Sequence, residues 1–212
     1  MYDIEITNAT IVDGLGSEAY EGNIYVKDGE ISTITYKETF EASVSINASG
    51  KIVTPGFIDL HTHSDISFLL DPTAQSKVRQ GVTLELIGNC GLSLCAPLIG
   101  DARDMFDTWV SDHTDSYDPT WTDYAGYIEA SEKAKATVNI AFQIGHASLR
   151  LAVMGQDDRS PTAEELTEMK RLAGEALDAG ALGFSTGLFY SPGYYARTDE
   201  VIAIAEEAGK RN

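Results

Sequence analysis

The sequence predicts an α/β fold, about half of a (β/α)8 barrel behind a small N-terminal β-module. Three observations lead there. Apolar runs without clean alternation recur after residue 50, and each ends in a polar or glycine-rich cluster. Segments of helical periodicity lie between them. Four such strand–helix units fill roughly 160 residues, whereas a complete barrel takes about 250. Runs of this kind suit strands buried on both faces of a parallel sheet. Polar residues at their ends mark either the mouth of a barrel or the crevice of an open sheet.

The β-module is placed at 1–52 and the half barrel at 53–212. In the module, Ile4, Ile6 and Ala9, Ile11 hint at alternation broken by Asn8. Asn23–Lys27, Asp28-Gly29 and Glu30–Ile34 have the form of a hairpin with a tight primed turn. Ala42 to Ile46 fits a further short strand.

The second part opens with Lys51 to Leu60, apolar around Pro55-Gly56 and ending in His61-Thr62-His63. Gly81 to Ile87 ends in Gly88-Asn89-Cys90-Gly91. Ala136 to Ile144 ends in Gly145-His146, and Gly180 to Phe184 in Ser185-Thr186-Gly187. Helices are expected at Asp71–Gln80, Thr120–Ala134 and Thr162–Ala179, and from Thr198 to Gly209. Thr162 with Glu165 reads as a capping box, and Gly180 as the stop. Asp101 to Asp123, acidic and aromatic, reads as an irregular surface excursion.

Composition narrows the class. The chain has 212 residues, 43% apolar and 23% charged, which suits an ordinary globular domain. Its net charge of −18 argues against a nucleic-acid backbone or an anionic membrane as partner. No apolar run approaches the roughly 18 residues of a membrane span. The first residues, Met1-Tyr2-Asp3-Ile4-Glu5, lack the basic start of a signal peptide, so a cytoplasmic location is expected.

The candidate chemistry sits at the strand ends. Residues i and i+2 of a strand share a face, so His61 and His63 can address one ion. Imidazole suits zinc and similar ions. Chance spacing on a loop is the plain alternative. Cys90 offers a thiolate that could bridge two ions; the alternative is a small buried apolar residue. Cys95 reads as core and His113 as surface. His146 fits substrate binding, support of a ligand, or a hydrogen-bonded structural role. Asp65 fits a role behind a metal ligand or a cap. Phe189 and Tyr190 form an apolar substrate wall or simply pack. Ser185 lacks a nucleophile-elbow pattern.

Val53-Thr54-Pro55-Gly56-Phe57-Ile58-Asp59-Leu60-His61-Thr62-His63 resembles the first barrel strand of the amidohydrolase superfamily, whose members carry a small N-terminal β-sandwich. Gly88–Ser93, Gly145–Arg150 and Gly183–Tyr190 narrow the resemblance to the N-acyl-D-amino-acid deacylases, over essentially the whole chain. The resemblance implies zinc, one or two ions, and attack of a metal-activated water on the amide carbonyl of an N-acyl-D-amino acid. The products are a carboxylate and a D-amino acid. By position it implies His61, His63 and Cys90 as metal ligands. Cyclic-amide relatives, such as dihydroorotases and hydantoinases, usually bridge two metals with a fourth-strand lysine. This chain has Ser185-Thr186-Gly187 there.

The family's remaining histidine ligands and its catalytic aspartate belong to later strands. No histidine follows His146, so no catalytic residue is assigned here. The chain therefore reads as the N-terminal portion of a deacylase, inactive alone, with its oligomeric state open. A non-catalytic half-barrel binding or scaffold protein, and a cyclic-amide amidohydrolase, are the alternatives.

Overall fold

A computed structural model describes residues 1–94, 96–111, 114 and 117–211. Cys95 and His113 lie outside the described residues. The chain divides into two compact units, Met1–Gly56 and Phe57–Asn212.

The first unit is one five-stranded sheet. Its strands are β1 (Tyr2–Ile11), β2 (Tyr20–Lys27), β3 (Glu30–Thr35), β4 (Ala42–Asn47) and β5 (Ile52–Val53). The order is β3-β2-β1-β4, with β5 also on β1. The β2–β3 hairpin turns at Asp28 and Gly29, both at positive φ, as a primed turn requires. Asn8 sits at φ 58°, within the register shift between Ile6 and Ala9, and its N–H donates to Asn23 Oδ1 at 3.0 Å. A β-bulge therefore accounts for the broken alternation. Ala9, Ile11, Ile24 and Ala48 form the small core.

The second unit is built on four parallel strands: β6 (Phe57–Asp59), β7 (Val82–Ile87), β8 (Asn139–Gly145) and β9 (Gly183–Ser185). Their spatial order follows the sequence, β6-β7-β8-β9. An open doubly wound sheet reverses its order at a switch point; this one never does. The sheet is the first half of a βα barrel. The apolar stretch 51–60 thus supplies two strands, β5 in the first unit and β6 in the second.

Helices cover the sheet. They are α1 (Ser67–Leu70), α2 (Gln75–Val78), α3 (Asp101–Ser111), α4 (Tyr124–Ala134), α5 (His146–Met154), α6 (Ala163–Asp178) and α7 (Thr198–Gly209). Ile87, Phe106, Ile144, Leu149, Met169 and Ile204 are among the residues of the shared core. The α6 capping box is present: Thr162 Oγ1 accepts from Glu165 N–H at 3.2 Å, and Glu165 Oε2 accepts from Thr162 N–H at 2.7 Å.

The helix expected at Asp71–Gln80 is the four-residue α2 alone, preceded by the unexpected single turn α1, and two longer helices also depart from expectation. The stretch expected to be irregular contains α3, which buries Ala102, Phe106 and Val110, one every four residues. That spacing puts all three on one face. The second, α5, starts at His146 directly after β8 and is buried on nearly every side.

β6 and β9 are the outer strands, and apolar side chains beside them stand open. Ile58 is 58%, Leu60 66% and Leu182 64% exposed. No helix among the described residues is long and apolar enough to cross a membrane.

Candidate metal centre

Three donor side chains converge where β6 and β7 hand over to their loops. His61 and His63 follow β6, and their ring centroids lie 5.7 Å apart. Cys90 follows β7. His61 Nε2 stands 3.1 Å from Cys90 Sγ, and one ligand atom from each residue falls within 4.8 Å of the others. Donors bound to one tetrahedral zinc lie roughly 3.5 Å apart, given its bond lengths to nitrogen and sulfur. The three donors thus lie close to the spacing that one ion requires. Two imidazoles and a thiolate are a zinc-type donor set.

The intervening residue is held from below. Thr62 is buried, and Lys77 Nζ donates to Thr62 Oγ1 at 2.9 Å and to Asp59 Oδ2 at 2.7 Å. The Lys77 hydrogen bond holds the Asp59 carboxyl below its ordinary range. His61 N–H donates to Asp59 Oδ1 at 3.2 Å. Partial burial, with the nearby His61 charge, lowers the pKa of His63. A neutral imidazole is the form that binds a metal.

Cys90 lies in an unusual loop. Its φ is 57°, and Gly88 and Gly91 on either side are at 77° and 76°. Asn89 Nδ2 donates to the carbonyl of Leu86 at 2.6 Å and to that of Thr62 at 3.2 Å. It thereby ties the cysteine loop to the residue between the histidines. Asp65 also reaches this loop. Its buried carboxyl receives backbone N–H groups that include those of Leu94 and Gly88, and burial pushes its pKa up to about 7. The Tyr127 hydroxyl donates to the Asp65 backbone carbonyl.

The third and fourth strand ends form a separate network. His146 is wholly buried, with Nε2 2.8 Å from Glu200 Oε1. Arg150 Nη1 donates to both Glu200 oxygens at 2.8 and 2.7 Å. Arg150 Nη2 donates to the carbonyls of Asp157 and Arg159. Burial opposes ionisation of Glu200, but the bonds from His146 and Arg150 outweigh it and hold the carboxyl below its ordinary range. On its other side, His146 Nδ1 is 3.4 Å from Thr186 Oγ1. The ring thus stands behind Thr186, a residue of the fourth strand end. Phe189 is 86% and Tyr190 48% exposed, their rings edge to face at 5.5 Å.

Sequence reasoning brought together His61, His63 and Cys90, and it missed Asn89, Arg150 and Glu200. Glu200 carried one available signal: it shares the i, i+4, i+8 face of α7 with buried Ile204 and Ala208.

Residues 45–209 match the model of the amidohydrolase family. N-acyl-D-glutamate deacylase of Alcaligenes xylosoxydans xylosoxydans is 37% identical over 210 residues, covering 99% of this chain and 42% of that protein. D-aminoacylase of the same organism is 37% identical over 203 residues, covering 96% and 41%. Among solved structures, N-acyl-D-glutamate deacylase of Bordetella bronchiseptica, in complex with zinc and a phosphonate inhibitor, superposes with a TM-score of 0.84 at 36% identity. That match covers 99% of this chain and 43% of the other. A D-aminoacylase structure gives 0.89 at 34% identity, covering 100% and 44%. The chain thus spans less than half the length of these relatives.

Proposed function

The chain belongs to the amidohydrolase family, and from that premise we propose that its protein hydrolyses the amide bond of N-acyl-D-amino acids, with His61, His63 and Cys90 among the ligands of a zinc centre. The convergence of these three donors carries the reading. The relatives lend the substrate class, since two of them are an N-acyl-D-glutamate deacylase and a D-aminoacylase. The reaction adds water across the C–N bond and yields a carboxylate and a free D-amino acid.

His61, His63 and Cys90 would hold a divalent ion there, and its chemistry would be to polarise an amide carbonyl and lower the pKa of bound water towards neutrality. The chain's own residues do the rest of what is assigned to it. His61 and His63 supply neutral nitrogens, and Cys90 supplies a negative charge that offsets the ion's. Phe189 and Tyr190 offer an apolar wall for the acyl group or the amino-acid side chain. His146 orients the Thr186 hydroxyl while Glu200 holds the imidazole. The resemblance implies that the remaining ligands and the general base come from strands after these four units.

The test is amine release from paired N-acetyl-D- and N-acetyl-L-amino acids by the intact protein, with and without zinc. Zinc-dependent release confined to the D series is the expected result. Release from neither series, or turnover only of cyclic amides, overturns the reading.

A further inference from the structure

We infer that Ser185, on the fourth strand, is a positioning residue that sets the Cys90 thiol for metal binding. The inference rests on the metal-centre reading above and adds a residue to it.

Ser185 closes β9, nearly a hundred positions from the loop it touches. Its Oγ accepts the Gly91 N–H at 3.0 Å and donates to the Gly88 carbonyl. One hydroxyl therefore bonds the backbone on both sides of Cys90. A carbonyl is an acceptor only and an N–H a donor only, so only a group that both donates and accepts can serve the two. A hydroxyl does this from a single atom.

The loop needs such a hold. An L-residue with a side chain disfavours the left-handed region that Cys90 occupies. Its neighbours Gly88 and Gly91 are also at positive φ, so the segment has little local preference for the shape it takes. Contacts from elsewhere supply it. Besides Ser185, the Gly91 carbonyl accepts from Ala147 N–H at 2.8 Å and Ser148 N–H at 3.2 Å, in the first turn of α5. The backbone of Gly187 presses so close to the Cys90 carbonyl that a Cβ at 187 would collide with it. Asn89 fixes the side facing the histidines.

The thiol's position follows from this frame. Sγ is one bond from Cβ, so the backbone at Cys90 fixes Cβ and leaves the thiol only its few staggered χ1 positions. With Gly88 and Gly91 fixed, Sγ lies 3.1 Å from His61 Nε2. A change of the loop to an ordinary negative φ would move Cβ and carry the thiol away from the His61 ring. Ser185 thus acts on the metal through Cys90 and touches neither metal nor substrate. Its place in the mechanism is preorganisation, as for outer groups that orient metal ligands in general.

Cobalt(II) titration of the intact protein tests this, because a cobalt–thiolate bond gives a near-ultraviolet charge-transfer band that histidine ligation does not. Wild type is expected to show the band, and Cys90→Ala to lose it. Ser185→Ala is expected to bind cobalt about 10- to 100-fold more weakly, with a diminished band at saturation. Ser185→Thr, which keeps the hydroxyl, is expected to restore most of both. Unchanged affinity and band in Ser185→Ala overturn the inference and leave the metal centre standing. No band in wild type overturns the metal centre and the inference with it. Should Ser185→Ala fail to fold by circular dichroism, amide exchange in metal-free wild type decides. A slowly exchanging Gly91 N–H supports the clamp, and exchange at the free-chain rate overturns it.

Discussion

His61 Nε2 and Cys90 Sγ lie 3.1 Å apart across 29 positions of sequence, one residue following β6 and the other β7. Adjacent parallel strands are about 4.8 Å apart, so side chains leaving neighbouring strand ends meet without a long reach. Under the proposed zinc centre, Cys90→Ala removes the one donor of the three that would bind as an anion. We expect zinc affinity, measured by chelator competition, to fall more than the roughly 100-fold that marks loss of an outer-shell partner. Retained affinity removes Cys90 from the centre.

Arg150 and Glu200 form a buried ion pair that breaks badly if one side is removed. Glu200→Gln leaves the guanidinium without its counter-charge in a site closed to water. The expected loss in urea unfolding is about 3–5 kcal/mol, read from the fluorescence of the buried Trp121. The Arg150→Met, Glu200→Leu double variant should lose less than the sum of its singles. Additive losses would show that the two residues are not coupled.

The start of α6 gives a pH dependence of known sign. Glu165 has its pKa lowered from 4.5 to about 2, first by Arg159 and then by the Thr162 backbone N–H. The folded state thus binds this proton less readily than the unfolded state. Stabilisation is complete above about 4.5 and is lost as pH falls through about 2. Glu165→Gln should flatten that part of the melting-temperature profile. Thr162→Ala should cost about 1 kcal/mol at every pH, by loss of the cap. An identical acid limb in Glu165→Gln would rule the pair out as its source.

Exposed Ile58, Leu60 and Leu182 beside the outer strands make a prediction about association. Unpaired strand edges with apolar flanks recruit other strands. Expressed by itself, the 212-residue chain should self-associate, with mass rising with concentration in light scattering. A monodisperse monomer with a cooperative melt would contradict this.

How much of this was readable beforehand depended on where the information lay. The α6 cap and the β2–β3 turn are local chemistry, and both stand where the residues place them. The nearness of His61, His63 and Cys90 was expected from their places at neighbouring strand ends and from the family resemblance. α5 was not. Its N-cap is Gly145 with no side-chain bond, and its burial from His146 through Leu151 erases the one-sided periodicity that betrays a helix. α3 was hidden by its acids, although Ala102, Phe106 and Val110 kept the helical spacing. Ser185 and Glu200 act at separations of 94 and 50 or more positions. No local pattern encodes a contact of that range.

That distance between Arg150 and Glu200 also orders events during synthesis. The ribosome delivers α5 fifty residues before the carboxylate that neutralises it. Until Glu200 emerges, docking α5 would bury a guanidinium that has carbonyl partners but no counter-charge. The first turn of α7 is in that sense a latch, since the charge balance of the third unit is completed by a side chain of the fourth.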